Sequence, residues 1–198
     1  MGEIERRLVH ASGVVFPAIY VIGLVEWSHL QALLLLASGI AIVLEVLRLN
    51  YGLQKWWFYA RLTREYEEET VAGYALYLFS STAVAFVFEP AIAVPAMLML
   101  MLGDPVSGYL SSGELRPVKG WTPIVAMFVV SLCVALPFTI AAVDSVRFGV
   151  GAAVAGAILA TIADGVKPTL FGYVVDDNLT IPPAGAIGIW LIIVLFPG

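Results

Sequence analysis

A single cysteine, two histidines and a charged fraction of only 13% leave this 198-residue chain short of the side chains from which most soluble sites are built. Cys133 lies in an apolar run, which excludes a disulfide framework and a cysteine-based metal centre and reads as a small core residue. A soluble domain carries about twice this share of charge, so water is not the main solvent. The formal net charge of −5 excludes a nucleic-acid partner, because a polyphosphate backbone needs a basic surface. The motifs GxxxxGK[ST], HExxH and GxSxG are all missing, which removes a conventional nucleotide-binding domain, a zinc-helix hydrolase and a nucleophile elbow. No polar stretch is long enough to bury a separate soluble core, so residues 1–198 read as one domain.

What the chain does have is apolar length, with 61% hydrophobic residues. Taking roughly 20 residues as one crossing of the hydrocarbon core, with shorter spans tolerated, the pattern predicts an all-α polytopic membrane bundle of about seven segments. These are 9–25, 30–48, 71–88, 90–102, 121–143, 146–163 and 184–197, and the fourth and seventh are short enough to be partial or re-entrant helices. The N-terminus opens on Glu3, Glu5, Arg6 and Arg7 without a small-residue cleavage site, and reads as the start of a mature first helix.

Long polar loops at 49–70, 103–120 and 164–183 alternate with tight connections at Trp27-Ser28, Glu89-Pro90 and Val143-Asp144-Ser145. The long loops and the N-terminus therefore share one side. Arg6, Arg7, Arg48, Lys55, Arg61, Arg64, Arg116, Lys119 and Lys167 fall on it and only Arg147 falls opposite, so the positive-inside bias makes that side, and the N-terminus, cytoplasmic.

Candidate chemistry gathers on the same side. Asp176-Asp177-Asn178-Leu179-Thr180-Ile181-Pro182 sets two carboxylates and an amide at the mouth of the last segment, a donor set for a hard divalent cation such as Mg²⁺. A solvated acidic turn before proline fits the same residues. Asp104, in Gly103-Asp104-Pro105-Val106-Ser107-Gly108, adds an acid among small residues whose amides could receive a phosphate, though Gly-Asp-Pro is also an ordinary turn. Lys119 and Lys167 stand near these acids, and cations beside metal-binding carboxylates suit a triphosphate.

Glu45 and Arg48, three apart near the end of the second segment, lie on one face and can pair. A charge inside an apolar helix costs roughly 2.5–3.5 kcal/mol at its centre and less near an end, so the pair invites a functional explanation or an end-of-helix ion pair. In the acidic run Glu65, Glu67, Glu68 and Glu69, the last abuts the third segment and is the one expected to matter.

Taken together, Asp176-Asp177-Asn178-Leu179-Thr180-Ile181-Pro182, Gly103-Asp104-Pro105, Lys119-Gly120 and the N-terminal Arg6-Arg7-Leu8-Val9-His10 resemble the family of CTP-dependent lipid kinases that act on dolichol, phytol or diacylglycerol. The resemblance runs from the first segment to the last. It implies transfer of the γ-phosphoryl group of CTP to the hydroxyl of a long-chain lipid alcohol, with Mg²⁺ as cofactor and CDP as product. It also implies that Asp104, Asp176 and Asp177 hold the metal, that Asp104 or Asp177 takes the proton, and that Arg6, Arg7, Lys119, Lys167 and Asn178 support the nucleotide. Asp164 stands where that family more often has glutamate, and Trp121 where it has a small residue. A CTP-using cytidylyltransferase that makes a CDP-lipid, and a small membrane transporter, are the two alternatives.

Overall fold

The computed structural model describes residues 11–52, 56, 59, 63, 67, 69–111, 118–166, 168–170 and 173–196. Within them the chain is helical apart from an antiparallel ladder of two-residue strands, β1 (Thr169–Leu170) and β2 (Tyr173–Val174), and an isolated bridge between Val118 and Val166. The helices that build the bundle are α1 (Val15–Val21), α2 (Trp27–Asn50), α3 (Gly73–Val87), α4 (Pro90–Leu110), α5 (Trp121–Ala141), α6 (Val146–Gly165) and α7 (Asp177–Leu195). Five of them, α2 and α4 to α7, are long and apolar enough to cross a membrane. The other two are shorter, with 15 residues in α3 and 7 in α1.

The bundle is built around α4, whose most apolar window is 61% buried against 22% for α5. Met97, Met99, Leu100 and Met101 of α4 are fully enclosed. Helix α2 buries Leu30, Leu34, Ser38, Ala41, Glu45 and Arg48, a stripe at three- and four-residue spacing, and turns Leu35, Leu36, Ile40 and Val43 outward. An exposed apolar face of that extent suits hydrocarbon rather than water. Polar side chains bind α2 to α3 within this apolar setting: Ser38 and Thr82 share a hydrogen bond of 2.8 Å, and Gln31 Nε2 donates to Ala85 O at 2.8 Å.

Helices α6 and α7 lie antiparallel along a seam where glycines let the two backbones approach closely. A Cβ placed on Gly188 would come within 2.6 Å of Ala155 O, and one on Gly156 within 3.1 Å of Gly185 O. Only glycine permits that separation. With α2–α3, α3–α4 and α5–α6 also antiparallel, one end of the bundle collects Asn50, Gly73, Leu110, Trp121, Gly165 and Asp177.

Four boundaries or placements differ from the sequence expectation. The segment expected over 9–25 ends as helix at Val21, because Gly23 adopts φ 75° and closes a Schellman motif in which Leu24 N donates to Ile19 O and Gly23 N to Tyr20 O, both at 2.9 Å. The fourth segment does not stop at 102. A π-helical turn, Met99–Gly103, leads straight into a further α stretch from Asp104 to Leu110, with Pro105 in its first turn where a missing N–H is tolerated. The last segment starts at Asp177 rather than 184, and Pro182 and Pro183 lie inside it. Cys133, expected in the core, is exposed on the outer face of α5.

Candidate active site

Those extended boundaries bring three acids together. Asp104 follows the π turn of α4, Asp164 closes the last turn of α6, and Asp177 is the first residue of α7. One carboxylate oxygen from each lies within 4.8 Å of the others. Asp164 is fully buried and Asp177 is 2% exposed. Because Asp104 sits within a continuous helix, its own N–H is spent on Leu100 O, so the loop amides expected beside it as phosphate donors are not there.

Lys119 reaches this cluster because its backbone is tied to α6. Its N–H donates to Gly165 O at 3.0 Å, one of the terminal helix carbonyls that would otherwise lack a partner, and the neighbouring Val118 bridges to Val166. The ammonium then stands 2.6 Å from Asp164 Oδ1, 3.7 Å from Asp104 Oδ1 and 4.0 Å from Asp177 Oδ2. It also donates to Ser107 Oγ at 3.2 Å, and that hydroxyl donates onward to Asp164 Oδ2 at 2.7 Å. Burial alone would lower the lysine pKa, yet the charges of Asp104, Asp164 and Asp177 outweigh it and raise the value above that of an ordinary lysine. Lys119 is a permanent cation here.

Three carboxylates face one ammonium in a largely buried place, an acid-rich setting that would favour a divalent cation. Octahedral Mg²⁺ holds oxygens at about 2.1 Å, hence about 2.9 to 4.2 Å from one another, so acids spaced as these are need only a small inward movement. The donor chemistry, hard carboxylate oxygens without thiol or imidazole, fits a hard divalent cation such as Mg²⁺ or Mn²⁺. Asp104, Asp164 and Asp177 would hold it.

Asp176, expected as a metal ligand, is engaged differently. Its Oδ1 caps α7, accepting from Asn178 N at 3.0 Å and from the Asn178 side-chain amide. Asn178 in turn is held by α3: its carbonyl accepts from Ser80 Oγ at 2.6 Å, and Gly73 packs so close that a Cβ there would lie 2.8 Å from Asn178 Nδ2. Asn178 Oδ1 is buried without a hydrogen-bond partner among the described residues, an oxygen suited to a ligand donor. Among the described residues of the acidic run, Glu67 is 2% exposed and Glu69 is exposed. Arg6, Arg7 and Lys167 lie outside the described residues.

Sequence reasoning placed Asp104, Asp177 and Lys119 on one side, and the fold brings them together. It left open whether Asp164 is a metal ligand or base, and gave no role to Ser107. The available signal was Asp164-Gly165 itself, an acid beside glycine at the end of an apolar run, the mirror of Gly103-Asp104. Comparison with family models, with curated proteins and with solved structures finds no match to this chain.

Proposed function

We propose that the protein is a CTP-dependent, Mg²⁺-requiring lipid kinase that phosphorylates the hydroxyl of a long-chain, polyprenol- or dolichol-like alcohol. The observation that carries it is the convergence of Asp104, Asp164, Asp177 and Lys119 at one end of a helix bundle whose outer faces are apolar. Phosphoryl transfer requires positioning and charge neutralisation more than covalent help, and this constellation supplies both. The Mg²⁺ would supply neutralisation of the β- and γ-phosphate oxygens. Lys119 is placed to bind a phosphate oxygen, and Asn178 Oδ1 to accept a hydrogen bond from the nucleotide.

The acceptor meets these groups at the helix ends. Val106 and Leu179, each two residues from an acid of the cluster, and Leu110 at the end of α4 are exposed, apolar surface on which an alkyl tail can lie while its hydroxyl faces the acids. In the transfer the alcohol oxygen bonds to the γ-phosphorus, the bond from that phosphorus to the β-bridging oxygen breaks, and CDP leaves. The alcohol proton passes to Asp104 or Asp177. We place the chain in the cell membrane, crossing it about seven times, with the N-terminus and the acid end at the cytoplasm.

Purified protein in detergent, given Mg²⁺, a panel of polyprenols, phytol, geranylgeraniol and diacylglycerol, and CTP labelled at either the γ- or the α-phosphate, tests this. A kinase moves γ-label into lipid and releases CDP. A cytidylyltransferase acting on a lipid phosphate would move α-label instead, and absence of either label in lipid refutes the proposal.

A further inference from the structure

A buried charged pair lies in α2, apart from the three acids. Arg48, fully buried in α2, donates from Nε to Glu45 Oε1 at 2.9 Å and from Nη2 to Glu45 Oε2 at 2.7 Å. An isolated buried pair of this kind gains little, because desolvation offsets the attraction. This one is not isolated. Arg48 Nη1 donates to Glu67 O at 3.0 Å and Nη2 to Thr70 O, while Glu45 Oε2 accepts from Ala72 N at 3.0 Å and Oε1 from the Tyr74 hydroxyl. One ion pair therefore holds two carbonyls, one amide and one side chain of the stretch that leads into α3.

That stretch ends at Gly73, the residue pressed against the Asn178 amide, and the Glu67 side chain reaches the same spot, its Oε1 lying 3.5 Å from where a Gly73 Cβ would be. Asn178 is bonded to the cap residue Asp176 and stands next to Asp177, whose carboxylate belongs to the three-acid cluster. A set of contacts thus runs from the buried pair in α2, through Glu67, Thr70, Ala72 and Gly73, to the first turn of α7.

We infer that Glu45 and Arg48 are positioning residues: by holding Glu67, Thr70 and Ala72, and so Gly73 against Asn178, they fix the start of α7, and with it the direction in which Asp177 presents its carboxylate. For metal binding the inference rests on the function proposed above; for the ordering of α7 it stands alone. Neither residue touches the acids. Their effect travels through the backbone they hold.

The experiment compares wild type with the double variant Glu45→Leu/Arg48→Met, which keeps the volume of the pair and removes both buried charges together, so that the fold is retained. Hydrogen–deuterium exchange of the full chain in detergent reads the order of residues 178–181, and Mn²⁺ titration reads the acid cluster. The expected result is about tenfold faster exchange at 178–181, unchanged exchange in α6 at 150–160, and about tenfold weaker Mn²⁺ binding. Arg48→Lys, which keeps the charge and loses the bidentate grip, gives an intermediate shift in both, and is the variant to read if the double one does not fold.

Exchange at 178–181 equal to wild type in these variants overturns the inference. Should wild type bind no Mn²⁺ while exchange responds as described, the clamp stands and the metal-dependent reading of the site fails instead.

Discussion

Ser80 Oγ donates to the carbonyl oxygen of Asn178 at 2.6 Å, across from α3 to α7. In an unbroken helix that carbonyl would be served by the N–H four residues on, but that residue is Pro182, which has none. The hydroxyl of a neighbouring helix replaces the missing donor. This supports the first turn of α7 across Pro182 in an apolar setting.

Ser80→Ala accordingly removes the one donor to Asn178 O among the described residues and costs about 1–3 kcal/mol, as for any buried acceptor left bare. In a chain of this size that lowers the unfolding midpoint by roughly 2–4 °C per kcal/mol. Pro182→Ala restores the backbone N–H, so the double variant recovers most of the loss. Thermal unfolding in detergent of the four chains checks it; additive losses would contradict the relationship.

Asp104→Asn, Asp164→Asn and Asp177→Asn each lower turnover by about 10²-fold or more, the scale of removing one preorganised electrostatic group. Asp176→Ser behaves otherwise, since serine also caps a helix, and retains turnover within about tenfold of wild type. Initial rates with γ-labelled CTP separate the two classes. Equal losses at Asp176 and Asp164 would return Asp176 to the ligand set.

Lys119→Met moves two quantities in opposite directions. Without the ammonium at 2.6 Å, Asp164 is more available and Mn²⁺ binds several-fold tighter in the absence of nucleotide, while kcat/KM for CTP falls about 10²-fold for want of a phosphate partner. Because the folded state raises the lysine pKa, its charge is present at every pH below the ordinary lysine value and is lost only above it. The wild-type rate profile between about pH 6 and 9 therefore carries no alkaline limb from this residue.

Topology is checked with single cysteines in a Cys133→Ser chain, which has no other thiol. A cysteine at Gly120 reacts with an impermeant maleimide only when the cytoplasmic face is open to it, and one at Asp144 reacts from outside intact cells. The reverse pattern would invert the assigned orientation.

The sequence made the apolar spans legible, and where a boundary was missed the cause is local. Gly103-Asp104-Pro105 and Pro182-Pro183 are breakers by composition. Both fall within helices, one after a π turn and the other supported by Ser80, and neither support has a pattern in its own stretch. Asp164 is marked locally only by its place beside Gly165, and its partners Lys119 and Ser107 are 45 and 57 residues away. Glu45 and Arg48 were visible as a pair because helical spacing alone joins them.

The seam between α6 and α7 gives one more prediction. Gly188→Ala places a methyl 2.6 Å from Ala155 O, in backbone that cannot yield as a flexible side chain would, so it destabilises by about 1–3 kcal/mol and widens the separation of Asp164 from Asp177. Thermal unfolding and Mn²⁺ titration of the same sample check both effects; a stable variant with wild-type Mn²⁺ affinity would refute it.

Gly156 and Asp164 are eight residues apart on α6, about 12 Å along the axis. The spacing of two carboxylates thus depends on positions that bear no side chain of their own. Substitutions there would register in an activity screen as silent-looking changes with a chemical phenotype. Any attempt to graft the three acids onto another helical scaffold would need to copy those bare positions before the charged ones.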